Sequence, residues 1–223
     1  NATEQAGDGS IVSLGDGGFA ILQFEKAISN GPGADFAVFE NAFNATFLEL
    51  AFVEVSSDGQ NYVRFPAVSN TDTSLQVGGF GALDATKIYN LAGKYQANYG
   101  TPFDLEELIQ DSAVLDINAV THVKIIDVVG SIQPTYCSRD SRGVKINDPW
   151  PTPFTSGGFD LDAVAVLHQQ GVAITLLEQQ PIFLFPNPIP LGMDLQISNK
   201  AAINLYGGRL YNNAGQCLSL IHI

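Results

Sequence analysis

Asp160 and Asp162 stand two residues apart in a strand-like run, a spacing that puts both carboxylates on one face. Asp35, Glu40 and Asn41 flank a second such run, Phe36-Ala-Val-Phe39. Hard cations take several oxygens from carboxylates, amides and carbonyls, so these five residues are the expected ligands of a calcium ion. The chain's net charge of −13 would draw cations toward it. No complete calcium loop is present: Asp8-Gly-Ser and Asp16-Gly-Gly lack the alternating ligands and the distal glutamate. The plainer role for the same acids is to accept backbone hydrogen bonds at turns and strand ends.

Trp150, the only tryptophan, sits in Asp148-Pro-Trp-Pro-Thr-Pro-Phe154. Prolines stiffen such a loop and present an aromatic face at small entropic cost. A sugar ring stacks on that kind of surface. Tyr136 and Phe154 would widen the platform, and Asn147 and Asp148 would bond hydroxyls. The competing role for Trp150 is to fold back and close one end of the core.

Catalytic motifs are absent from the sequence. It contains no Gly-x-Ser-x-Gly, His-Glu-x-x-His, P-loop or Gly-x-Gly-x-x-Gly element. His122 and His168 fall in or beside strand-like runs and read as structural. A non-enzyme is therefore expected. A two-carboxylate glycosidase stays open as the alternative, because separation in space, not in sequence, defines that pair. Cys137 and Cys217 are too few for a disulfide framework or a zinc site, and their pairing stays open. Asn1-Ala-Thr3 and Asn44-Ala-Thr46 match the glycosylation pattern, which is short and weakly specific.

Positioning these residues falls to a β framework. Phe19–Phe24, Phe36–Phe39, Phe47–Val55, Tyr62–Phe65, Val120–Val129 and Leu161–Leu167 are short and rich in aromatic or β-branched residues. Several are apolar on both faces, as strands inside a sandwich are. Asp58-Gly59 between two runs signals a hairpin. Helix is confined to an excursion over about residues 70–115, where Thr101-Pro-Phe-Asp-Leu-Glu-Glu begins with a capping threonine and a proline. Asp84–Leu91 adds a turn or two. The expected fold is all-β: an antiparallel β-sandwich over residues 8–169, with inward faces that include Phe36, Val38, Leu50, Phe52, Val123, Ile125, Leu161 and Val164.

Composition changes along the chain. Residues 1–169 carry 21 acids and 8 bases, the whole of the net charge, whereas the remainder is balanced. A module boundary is therefore expected near Gln169–Gln180. The acidic balance argues against nucleic acid, whose phosphates need a basic footprint. No apolar run approaches the ~20 residues of a membrane span. Beyond Gln180, Phe183-Leu-Phe-Pro-Asn-Pro-Ile-Pro190 has too many prolines for a central strand. Met193–Ser198 and Ala202–Tyr206 follow as short strands, so residues 182–217 read as a small, incomplete β unit. Residues 218–223 do not continue the pattern and read as a non-native tail.

The tail resembles a known module. Leu184-Phe-Pro-Asn-Pro188, then Ile203-Asn-Leu-Tyr206 and Asn213-Ala-Gly-Gln216, is similar to the opening half of a type IX secretion C-terminal sorting domain. The larger part resembles a family of bacterial cell-surface proteins of unknown activity. Gly31–Asn41, Glu49–Gly59, Ile126–Gly130, Asn147–Phe154 and Gly158–Val164 carry that likeness. More loosely, Ser-Ser-Asp-Gly-x-x-Tyr at 56–62 and Val123–Asp127 are similar to galactose-binding-like jelly rolls. These resemblances imply export by the type IX machinery and an extracellular or outer-surface location. They also imply a module that binds a glycan or another surface ligand. A secreted polysaccharide hydrolase and a purely adhesive domain are the competing classes.

Overall fold

In the computed structural model, residues 11–152 and 157–170 are described throughout, and beyond them the backbone of four strands. The chain divides into two compact units, Asn1–Val172 and Ala173–Ile223. In the first, eight strands form two four-stranded sheets. One sheet runs β1 (Val12–Ser13), β10 (Asp160–Val166), β3 (Phe36–Glu40), β8 (Thr101–Phe103). The other runs β2 (Phe19–Ile28), β9 (Val120–Asp127), β4 (Ala51–Ser56), β5 (Val63–Arg64). Every pairing is antiparallel. This is an all-β sandwich.

Period-two alternation fills the space between the sheets. Phe36 and Val38 of β3, Val53 and Val55 of β4, and Val123 and Ile125 of β9 are all buried in one cluster. Phe36, Phe65 and Phe103 form its aromatic centre, with Phe36 and Phe103 stacked at 5.4 Å. Leu161 joins this cluster and Val164 packs at its margin. Leu50 and Phe52 belong to a second cluster, with Leu48, Ala67, Leu83, Ile88, Leu91, Val128 and Ile146. The opposite parity of Leu50 and Phe52 along the chain accounts for this, since it turns them to the outer face of β4. There the excursion covers them, through residues that include β6 (Val68–Ser69) and β7 (Ile88–Tyr89).

The hairpin expected at Asp58-Gly59 joins β4 to β5, with Gly59 at φ +74° and Asp58 accepting from the amides of Gln60 and Asn61. Among the described residues helix is confined to the excursion, as two 3-10 segments, Ala85–Lys87 and Leu105–Asp111. The second differs from the expected helix at its start. Asp104, not Thr101, is the cap and accepts from the Glu106 amide. Thr101–Phe103 is instead edge strand β8, paired with Phe36–Val38. Pro102 lacks a donor, and an edge strand tolerates that.

The second unit holds β11 (Phe183–Phe185) paired with β12 (Gln196–Ser198), and β13 (Gly208–Tyr211) paired with β14 (Cys217–Ile221). The Pro-Asn-Pro step at 186–188, the run Ala202–Tyr206 and the turn at 212–216 lie outside the described residues. Among the described residues no helix is long and apolar enough to cross a membrane.

Candidate functional site

The strand register separates the expected calcium ligands into two ends of the sandwich. Val166 lies opposite Phe36 and Leu161 opposite Glu40, so β3 runs from one end to the other. Asp35 precedes β3 and Glu40 closes it, about 17 Å away at strand rise.

Asp35 is fully buried and its carboxylate is filled by donors. The Gly31 amide donates to Oδ1 (2.7 Å), the Leu105 amide donates to Oδ2 (2.7 Å), and Nδ1 of His168 lies 2.8 Å from Oδ1. Its own carbonyl accepts from the amides of Leu167 and His168. Asp35 therefore anchors the loop before β3, the start of the 3-10 helix and the end of β10. It is not brought to Glu40 and Asp160, because the whole length of β3 intervenes.

At the other end, acids gather. Inward parity along β3 (Phe36, Val38) continues to Glu40, and along β9 (Val123, Ile125) to Asp127. Glu49 stands two residues before Ala51, on the parity of Val53 and Val55. Ala51 lies opposite Asp127 and Leu161 opposite Glu40, so all these strand ends meet at one end of the fold. Asp148 approaches the same end, its Oδ2 accepting from the Leu50 amide (3.2 Å). Glu40, Glu49, Asp127 and Asp148 are all buried. Asp160 is half-buried and accepts from Ser13 Oγ.

Burial disfavours charge, and each carboxylate raises its neighbours further. Burial pushes Glu40 up to about 9, helped by Glu49 and Asp160. It pushes Glu49 up to about 7, helped by Asp160 and Asp127. Burial also takes Asp127 to about 7, against the amides of Phe159 and Gly17 that donate to it. Asp148 is held well above the usual carboxylate range by burial, and Asp160 is raised for the same reason. Among the described residues the ion pairs of Glu54 and Asp140 and the His168 contact of Asp35 lie elsewhere, so no basic side chain neutralises this group.

Two of the acids have fixed work. Asp127 accepts from Gly17 (2.9 Å) and Phe159 (2.7 Å), and Glu49 Oε1 accepts from Gly158 (3.0 Å). They hold the turn at Gly158, which sits at φ +81° and whose added Cβ would come within 2.7 Å of Asp127 Oδ1. Only glycine fits there. Asn41 and Asp160 are joined through the backbone, the Asn41 amide donating to the Asp160 carbonyl (3.2 Å). Asp162 is buried at the point where the β10–β3 register shifts, between Leu161 and Ala163. That bulge interrupts the alternation on which the pairing of Asp160 with Asp162 was expected.

The acidic end opens into a hollow of about 440 Å³. Asn41, Glu49 and Asp160 line it with Asn44 and Ile11, and Phe43, Phe47 and Phe80 rim it. Phe43 is 83% exposed and Phe80 79% exposed, and the Phe47 and Phe80 rings lie 6.1 Å apart. Asn44 shapes the rim by accepting from the amides of Thr46 and Phe47.

The expected platform around Trp150 has a different character. Asn147 is fully buried, and its amide is used up inside the protein. Nδ2 donates to the carbonyls of Asp72 (2.6 Å) and Leu75 (2.7 Å), and Oδ1 accepts from the Val77 amide (2.9 Å) and from Gln76 (3.0 Å). Asp148 turns into the acidic group, so neither residue presents an edge to a sugar hydroxyl. Trp150 is half-buried, its amide donating to the Val77 carbonyl, and Tyr136 is exposed. Phe154 lies outside the described residues. Cys137 is a free thiol.

Sequence reasoning did not select Glu49, Asp127, Phe43, Phe47 or Phe80. The acids had a signal: each continues an inward-facing alternation where an apolar residue belongs. The phenylalanines had none, because an apolar residue in a loop reads as core until the fold exposes it. Fold and site together define a β-sandwich with an aromatic-rimmed acidic hollow at one end. No family model matches the chain, and no curated protein or solved structure matches it either.

Proposed function

We propose that this chain is a non-catalytic module, exported to the cell surface or beyond it, that binds a glycan in the hollow beside Glu49 and Asp160. The observation that carries this reading is the pairing of exposed Phe43 and Phe80 with Asn41, Glu49 and Asp160 in one hollow. Apolar ring faces suit the C–H face of a sugar, and carboxylate and amide oxygens suit its hydroxyls. Large aromatics left in solvent mark interaction surfaces. Export rests on the tail's likeness to a type IX sorting domain and on the larger part's likeness to bacterial surface proteins. A glycan-array screen of the full chain tests the binding claim. Retention lost in both Phe43→Ala and Phe80→Ala supports it, and retention unchanged in both refutes it.

The hydrolase reading has one observation in its favour. Glu49, raised to about 7, lines the hollow with Asp160, and a glycosidase needs an acid that is protonated near neutrality. New reducing ends from an array-positive polysaccharide, abolished in Glu49→Gln, would establish it over binding alone.

A further inference from the structure

Charge in the buried acidic end is unbalanced, and two of its oxygens have no partner. Glu40 Oε2 and Asp148 Oδ1 are buried and accept no hydrogen bond, although each residue is only 3% exposed. An orphaned carboxylate oxygen at that depth is costly unless a proton or a cation meets it. Glu40 lies within electrostatic reach of Glu49, Asp160 and Asp148. Glu49 and Asp160 also line the hollow, so solvent reaches the group from one side.

We propose that this group binds one divalent cation of the calcium class, with the free oxygens of Glu40 and Asp148 among its ligands. Calcium takes six to eight oxygens, and two carboxylates suffice when amides, backbone carbonyls and water supply the others. That matters because, among the described residues, no three Asp, Glu, His or Cys side chains already meet around one point. Asn41, buried beside Glu40, offers an amide oxygen, and Glu49 and Asp160 guard the entrance. Asp35 has no part in the site. Magnesium fits poorly, since it sheds water reluctantly and demands octahedral geometry. The cation site stands independently of the glycan reading, and a failed array leaves it untouched.

The test uses the full chain, stripped with EDTA and titrated with calcium chloride in a calorimeter and in thermal melts. One-to-one binding is expected, with a melting temperature raised by about 5–10 °C at calcium about one hundred times its Kd. Magnesium chloride should raise it less. Glu40→Gln and Asp148→Asn should each remove the response while keeping the far-UV spectrum of the sandwich. Terbium provides a readout that needs no variant. Trp150 lies two residues from Asp148, within about 7 Å of backbone, so terbium emission excited through the sole tryptophan should appear and be competed away by calcium. A wild-type protein indifferent to calcium, EDTA and terbium overturns the proposal. So does a calcium response that both carboxamide variants retain in full.

Discussion

Removing the Asp35 carboxylate should unfasten one end of the sandwich. In Asp35→Ala the buried amide of Leu105, the part-buried amide of Gly31 and the His168 imidazole lose their acceptor together. Leaving one buried donor unsatisfied costs about 1–3 kcal/mol. One buried amide, one part-buried amide and a half-buried ring, with some relaxation of the Gly31 loop, give an expected loss of about 3–5 kcal/mol. Asp35→Asn keeps one acceptor oxygen and sets an NH2 against a remaining donor, so it should cost less than the alanine. Urea unfolding followed by Trp150 fluorescence reports the first unit alone, because the chain has no other tryptophan. With m near ~2 kcal/mol per molar, the midpoint should fall by about 1.5–2.5 M. Native-state hydrogen exchange should show the Leu105 amide losing protection first. A loss under about 1 kcal/mol with Leu105 still protected would show that water replaces the carboxylate, and the anchor argument would fail.

Other outcomes follow from the same geometry. The folded-state values of Glu40 (about 9), Glu49 (about 7) and Asp127 (about 7) lie above their unfolded ones, so the folded protein holds more protons in between. In EDTA, stability should therefore be highest at about pH 4, the unfolded values of these groups, and fall as pH rises from there through 7 toward 9; a flat or rising profile over that range would contradict the shared burial of these acids. Phe43→Ala and Phe80→Ala should each weaken glycan retention about tenfold or more, with melting temperatures unchanged, since both rings stand in solvent. Asn147→Ala removes four bonds that hold the 72–77 loop and should cost about 2–4 kcal/mol. Limited proteolysis should then cut near Leu75 while glycan retention survives; an unchanged digestion pattern would deny the clamp.

The sandwich was legible because its signals are local. Alternation in Phe36–Glu40 and Val120–Asp127, and the Asp58-Gly59 hairpin, each act over a few neighbouring residues and agree with the final packing. Thr101-Pro misled because a capping threonine before proline looks the same whether a helix or an edge strand follows; the pairing of β8 with β3 decided it. The placement of the candidate residues was legible in part. Glu40, Asn41 and Asp160 do share one end of the fold, whereas Asp35 was drawn in by nearness in sequence and sits a full strand away. Asn147 and Asp148 read as exposed loop residues, since nothing in Asn-Asp-Pro-Trp reveals that distant amides at Val77 and Leu50 claim them. The acids of different strands meet only through the cross-strand register of Ala51 with Asp127 and Leu161 with Glu40, a long-range fact with no trace in any one segment.

Strand β3 thus carries a carboxylate at each end under opposite conditions: Asp35 saturated by donors, Glu40 with an oxygen left bare. Opening of the sandwich should therefore be polarised, beginning where β3, β4, β9 and β10 bring their acids together and running toward Asp35. The free energy of that first opening should depend on protons, through the raised carboxyls of Glu40, Glu49 and Asp127, and on the proposed cation, whereas both oxygens of Asp35 already have donors. An environment poor in divalent cations and mildly alkaline would loosen the acidic end while the far end stayed intact. A glycan held in the hollow, as proposed, would then leave by local fraying rather than by global unfolding.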